Sequence, residues 1–192
     1  MEKLRIEYKF DLKDFEMMEN IEHSYFPNEN ITPAEEVLNW HKKNDLTCIG
    51  LRNSNNEIIA SVNILPLNKE VFYDIYEDKM NEADVAYSQI EEYEDNKSYY
   101  IYLSSISIDK RYRNNYRVIT TLLKGCVNVL NLLFERNIKI EKVMADASTI
   151  HGEKICKKLL KMDYIRNTSH ESKIYCKDGE KFMKVIEKMK IV

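Results

Sequence analysis

Residues Ser98–Asn137, SYYIYLSSISIDKRYRNNYRVITTLLKGCVNVLNLLFERN, read as a strand, a tight basic loop and a long amphipathic helix. The strand runs from Tyr99 to Ile108 and the helix from about Tyr116 to Glu135. Ile119, Leu122, Leu123, Cys126, Leu130 and Leu133 form a broad apolar stripe along that helix. A strand feeding a helix through a short loop leaves unpaired backbone N–H groups at the helix N-terminus, which suits an anion such as a phosphate. The loop, RYRNNYR, contains no glycine.

The segments on either side extend this into an α/β order. Upstream, Leu4, Ile6, Tyr8 and Phe10 alternate with charged residues, the period of a half-buried strand. Asp11 is placed to cap a helix carrying Leu12, Phe15, Met18, Ile21 and Tyr25 and ending before Pro27. Thr32, Pro33 and Glu35 read as N-cap, first helical position and capping-box partner of a second helix. Thr47–Arg52 and Glu57–Leu65, joined by NSNN, predict a hairpin. Residues 68–97 form a helical, acidic insertion in which Val71, Phe72, Ile75, Tyr76 and Met80 fall on helical spacing. Downstream, Ile138–Ala147 reads as a buried strand, Glu153–Met162 as a short helix, Lys173–Lys177 as a last strand and DGEKFMKVIEKMK as a terminal helix. Strand–helix–strand from Tyr99 to Ala147 predicts a parallel pair.

Bulk composition bounds the function classes. The 192 residues fit one domain, with no Gly/Pro-rich linker to divide them. Hydrophobic residues at 44% and charged residues at 32% describe a soluble globular chain, and no apolar run reads as a membrane span. The start, MEKLRIEYKF, does not resemble a signal peptide, so a cytoplasmic home is expected. A net charge of -3 gives no electrostatic case for nucleic acid. Cys48, Cys126, Cys156 and Cys176 have no CxxC spacing and read as reduced structural thiols. His23, His41, His151 and His170 have no metal-ligand spacing, so no metal site is expected. No P-loop or dinucleotide glycine fingerprint is present, which disfavours another kind of nucleotide-binding domain.

The element order, with YLSSISIDKRYRNNYRVITTLL and ADASTIHGEKICKKLLKMDYI within it, resembles the GNAT superfamily of acyl-CoA-dependent N-acyltransferases. That resemblance implies a central mixed sheet of six to seven strands flanked by helices, in a single domain over residues 1–192. It implies acetyl-CoA or a related acyl-CoA as cosubstrate. Ile106 and Ile108 would offer backbone groups to the pantetheine arm, and Arg113, Asn114, Asn115, Tyr116, Arg117 and Val118 would cradle the pyrophosphate. The family's loop glycines are absent. Asparagine enters the left-handed backbone region more readily than most residues, so a left-handed turn is expected at Asn114-Asn115. The two splayed strands of the family correspond to Tyr99–Ile108 and Ile138–Ala147, with the acyl group near Leu103 to Ile106.

Acyl transfer to an amine needs a proton acceptor, and Glu82 and Asp84 of NEADV are the candidates. The plain reading of either is a solvated loop or helix cap. Where many relatives carry a tyrosine that protonates the leaving thiolate, this chain has Leu159 or Leu160, and Tyr164 matches an apolar, packed closing residue. The acceptor implied is a small-molecule amine or a peptide amino group, and the acidic stretch Glu77–Asp95 suits a cationic one. The family's habits leave open association into a homodimer. The glycine-free loop and missing tyrosine point to an alternative, a weak or inactive CoA-binding or regulatory module.

Overall fold

The structure of the protein, a computed structural model, describes residues 3–25 and 31–188. Pro27, and Met189 and Lys190 of the expected terminal helix, lie outside them. A seven-stranded sheet runs in the order β1 (Arg5–Glu7), β2 (Cys48–Arg52), β3 (Ile58–Leu67), β4 (Ser98–Ile108), β5 (Lys139–Ala147), β7 (Lys173–Asp178), β6 (Asp163–Asn167). Only β4 and β5 are parallel; every other neighbouring pair is antiparallel.

Side chains of the central strands alternate between two cores, as the pleat requires. Tyr99 and Ile101 of β4, Val143 and Ala145 of β5 and Tyr175 of β7 join one apolar cluster. That cluster holds the buried stripe of α4 (Tyr116–Glu135) and Phe182 and Ile186 of α6 (Gly179–Lys188). Tyr102, Met144, Ile174 and Cys176 join the other, with Val71, Phe72 and Ile75 of α3 (Lys69–Tyr76) and Trp40 of α2 (Ala34–Lys43). α1 (Leu12–His23) packs beside α2 through Phe15, Met18 and Ile21. By length and composition α4 is apolar enough to cross a membrane, which corrects the expectation that no run is. Val118, Leu122, Cys126, Val129 and Leu133 are nevertheless buried in the sheet-facing cluster.

Local chemistry explains most boundaries. Asp11 and Asp14 form a reciprocal capping box at the start of α1. The capping box at Thr32 does not form. Pro33 occupies the N-cap with extended backbone, and the Ala34 N–H is taken by Glu19 Oε2 of α1 at 3.2 Å. A neighbouring helix thus supplies the carboxylate that the local motif was expected to provide. The insertion keeps one helix, α3, which stops at Tyr76 because Asp78 enters the left-handed region (φ 62°); 3-10 turns follow at Glu82–Asp84 and Tyr87–Gln89.

After β5, α5 (Ile150–Lys154) passes into a π-helical turn at Ile155–Leu159. β6 was not foreseen. Its five residues form an outermost strand that buries almost nothing, so DYIRN carries no apolar alternation to read. Tyr164, expected to be packed, is 49% exposed, its hydroxyl donating to Asn167 Oδ1.

A candidate functional site between two parting strands

β4 and β5 pair from Ser98↔Lys139 to Leu103↔Ala145 and no further, although β4 runs on to Ile108. On its other side β4 carries a bulge: Val62 of β3 faces Ile106 while Ile64 faces Leu103, which leaves one extra residue on β4 at Ser104-Ser105. A bulge breaks strict alternation, so both serines face the same cavity. Beyond it, Asp109 N–H bonds Ile59 O on β3, and antiparallel alternation then turns the backbone groups of Ile106 and Ile108 away from β3, into the gap left by β5. The Ile108 carbonyl accepts from the Tyr25 hydroxyl.

The cavity has a volume of about 390 Å³ and lies where the strands part. Its walls come from α1 (Glu22), the segment after α3 (Asp78 and Met80 to Ala83), β4 (Tyr102, Ser104, Ser105), the end of β5 (Asp146) and the β6–β7 loop (His170, Ser172). Glu82 is the centre of the group. Ser104 Oγ donates to Glu82 Oε1, and the Tyr102 phenol also hydrogen-bonds the carboxylate. Desolvation, opposed by these bonds and reinforced by Glu22 and Asp146, pushes the Glu82 pKa up to about 7. Glu82 is half-buried as a residue and lines the cavity, where the surrounding protein removes part of the hydration that a free carboxylate enjoys.

Two further carboxylates are raised for the same first reason, burial. Glu22 is held by Ser107 Oγ at 2.9 Å and by Ser105. Asp146 is eased by Ser172 and His170 but opposed by Asp78. Tyr102 is also pushed well up by burial and by Glu82 beside it, so it stays a neutral donor.

The structure separates the two expected proton acceptors. Glu82 lines the cavity; Asp84 is exposed and accepts the Asn81 N–H at 3.3 Å, the helix-cap role that was its plain reading. Glu22, Asp146 and His170 had no signal in the sequence, because each comes from a different distant segment.

The loop before α4 differs from expectation in its backbone. Neither Asn114 nor Asn115 has positive φ. Asn115 is instead the N-cap, at φ -89° and ψ 98°, and its Oδ1 accepts from Arg117 N–H at 3.1 Å. A capping side chain stabilises the helix start with no left-handed residue, which is why the turn closes without glycine. Val118 N–H bonds Asn115 O at 2.9 Å. Arg113 stacks over the Tyr25 ring at 4.3 Å and donates to its hydroxyl at 3.1 Å, while Arg111 is paired with Asp109 at 2.9 Å. Tyr116 is 77% exposed.

These residues fit an acyl-CoA in kind: a strand edge left by β5 at Ile106 and Ile108, a 20-residue helix presenting its N-terminus, and arginines beside it. Two fits are incomplete, since the Ile108 carbonyl already accepts from Tyr25 and Asn115 already holds an N–H that a pyrophosphate would use.

No protein-family model matches the chain, and no curated protein matches it by sequence. Solved structures do. An acetyltransferase of the GNAT family from Staphylococcus aureus Mu50 is 12% identical, with 92% of this chain and 99% of that chain covered at a TM-score of 0.56. Arylalkylamine N-acetyltransferase 2 from Aedes aegypti is 16% identical, with 92% and 99% covered at 0.54. A chain of the NatC complex bound to Gag peptide and CoA is 6% identical, with 91% and 96% covered at 0.56.

Proposed function

The chain has the GNAT fold, and from that premise we propose that it is an N-acetyltransferase, moving an acyl group from acetyl-CoA or a related acyl-CoA to a primary amine by direct attack. The observation that carries this reading is Glu82, held by Ser104 and Tyr102 at the parting of β4 and β5 and poised at about 7. A general base works best when its pKa lies near the working pH.

Bound acyl-CoA supplies an activated thioester carbonyl. The gap-facing backbone of Ile106 and Ile108 would hold its arm, with Arg113, Asn114, Asn115, Tyr116, Arg117 and Val118 around the pyrophosphate. Glu82 takes a proton from the entering ammonium, which frees the nitrogen lone pair. A new N–C bond then forms and the C–S bond breaks; the nitrogen's second proton balances the one gained by the departing thiolate through solvent. Ser104 and Tyr102 orient the Glu82 carboxylate, and the surrounding carboxylates favour a cationic amine over an anionic one.

We also place the protein in the cytoplasm, in keeping with four buried free thiols; cell fractionation that found it elsewhere would refute this. The cap at Asn115 favours a second reading, a CoA-binding or regulatory module with little turnover, because a pyrophosphate must displace that side chain.

Thiol release from acetyl-CoA over a panel of primary amines separates the two. Turnover that falls by about 10²-fold or more in Glu82→Gln supports the enzyme. Calorimetric binding of acetyl-CoA, weakened in Arg113→Ala and Arg117→Ala, with no thiol release for any amine, supports the module. No binding at millimolar acetyl-CoA sinks both.

A further inference from the structure

The edge of β4 proposed to hold an acyl-CoA arm already meets a donor from within the chain. Past the bulge, Ile106 and Ile108 aim their backbone groups into the gap that β5 leaves. A pantetheine arm lying there would donate an amide N–H to such a carbonyl, as a neighbouring strand does. At Ile108 that place is taken. The hydroxyl of Tyr25, 83 residues earlier in the chain, donates to the Ile108 carbonyl.

Tyr25 is held there from two sides. It lies just beyond the end of α1, in a turn closed by its own N–H on Glu22 O at 2.8 Å. The Glu22 carboxylate accepts from Ser107 Oγ at 2.9 Å, so the end of α1 is anchored to the residue of β4 next to Ile108. From the loop before α4, Arg113 stacks over the Tyr25 ring at 4.3 Å and donates through Nε to its hydroxyl at 3.1 Å. One phenol therefore joins the strand edge to the loop, the two halves of the proposed cofactor site.

We propose that the Tyr25 hydroxyl is an intramolecular competitor of acyl-CoA and must leave Ile108 before the arm can bond there. The exchange is local. Phe15, Met18 and Ile21 bury the rest of α1, and Glu22 keeps its end on Ser107, so the Tyr25 side chain needs only to turn about its own single bonds. Tyr25 is half-buried and Arg113 exposed, so water replaces the contacts they give up. The move also takes a partner from Arg113, whose guanidinium then turns to a phosphate at the loop. Tyr25 thus sets the affinity for the arm rather than for the nucleotide. This inference rests on the acyl-CoA reading of the site.

The test is calorimetric titration of the full chain and of Tyr25→Phe with CoA and with adenosine 3′,5′-diphosphate, which carries phosphates but no arm. Phenylalanine keeps the ring beneath Arg113 and removes only the hydroxyl on Ile108. It is expected to tighten CoA binding about three- to tenfold, the worth of one hydrogen bond, and to leave adenosine 3′,5′-diphosphate within about twofold. Tyr25→Leu, which drops the ring as well, should give the same sign and serves if the first variant does not fold.

CoA affinity that stays the same or falls in the folded variant would overturn the competitor. An equal gain for both ligands would overturn it too, because the effect would then come from releasing Arg113. The two readings fail in different ways. CoA binding without the gain refutes only the competitor, whereas no CoA binding at millimolar concentration by either protein refutes the acyl-CoA reading and the competitor with it.

Discussion

Glu82 shows how much one side chain depends on its surroundings. Its carboxylate must be ionised to accept a proton, so kcat/KM is expected to rise with pH through about 7, and Glu82→Gln to flatten that limb of the profile. The same shift has a stability consequence of definite sign. Below the ordinary value of 4.5 the group is protonated in both folded and unfolded chains and costs nothing. Between 4.5 and about 7 the unfolded chain ionises first, so the folded state loses stability as pH rises. Glu82→Gln is neutral throughout and escapes the loss. Its melting temperature should exceed the wild-type value by several degrees near pH 8.5, corresponding to about 1–3 kcal/mol, and by little near pH 4. An equal or lower melting temperature at the alkaline end would show that the carboxylate is not desolvated. In NEADV, Glu82 and Asp84 were indistinguishable as candidates: nothing two residues apart in a loop says which side chain turns inward. The 3-10 turn decides it, sending Asp84 back to the Asn81 N–H.

At the scale of elements, α4 and its loop set the position of the proposed cofactor site. A Cβ on Gly125, in the middle of α4, would come within 2.6 Å of Ile49 Cγ2 and 3.0 Å of Ile6 Cγ2. The helix therefore lies close on β1 and β2 because this residue has no side chain. Alanine here would gain about 1 kcal/mol in helix propensity and lose a similar amount or more to overpacking. Valine has no such compensation, and Gly125→Val should cost about 2–3 kcal/mol in urea denaturation and weaken acetyl-CoA binding by moving the helix start. An unchanged midpoint would mean that the sheet yields at Ile49 without strain. Periodicity made α4, β4 and β5 legible, because their buried positions repeat every 3.6 or 2 residues along the chain. Caps and turns were less legible. Thr32 carried a capping-box pattern that Glu19 of another helix displaced, and Asn115 closed its turn by capping rather than by left-handed backbone.

For the whole molecule, ligand binding and folding are linked. If the loop and the open edge of β4 bind acetyl-CoA, ligand at about 100 times its Kd adds about 2.7 kcal/mol, which for a chain of this size raises the melting temperature by on the order of 5–10 °C. The rise should shrink in Arg117→Ala; its absence in the wild-type protein would place the site elsewhere. The sequence by itself determined the α/β order, the parallel pair and the strand–loop–helix, since these rest on local spacing of apolar residues and on short connections. Only the tertiary structure decided that β6 exists, that β4 bulges at Ser104-Ser105, and that Glu22, Glu82, Asp146 and His170 share one cavity. Those four residues come from four distant segments. Their meeting depends on strand order and register, and their charge states depend on how much water the assembled fold removes, neither of which any local stretch of the chain encodes.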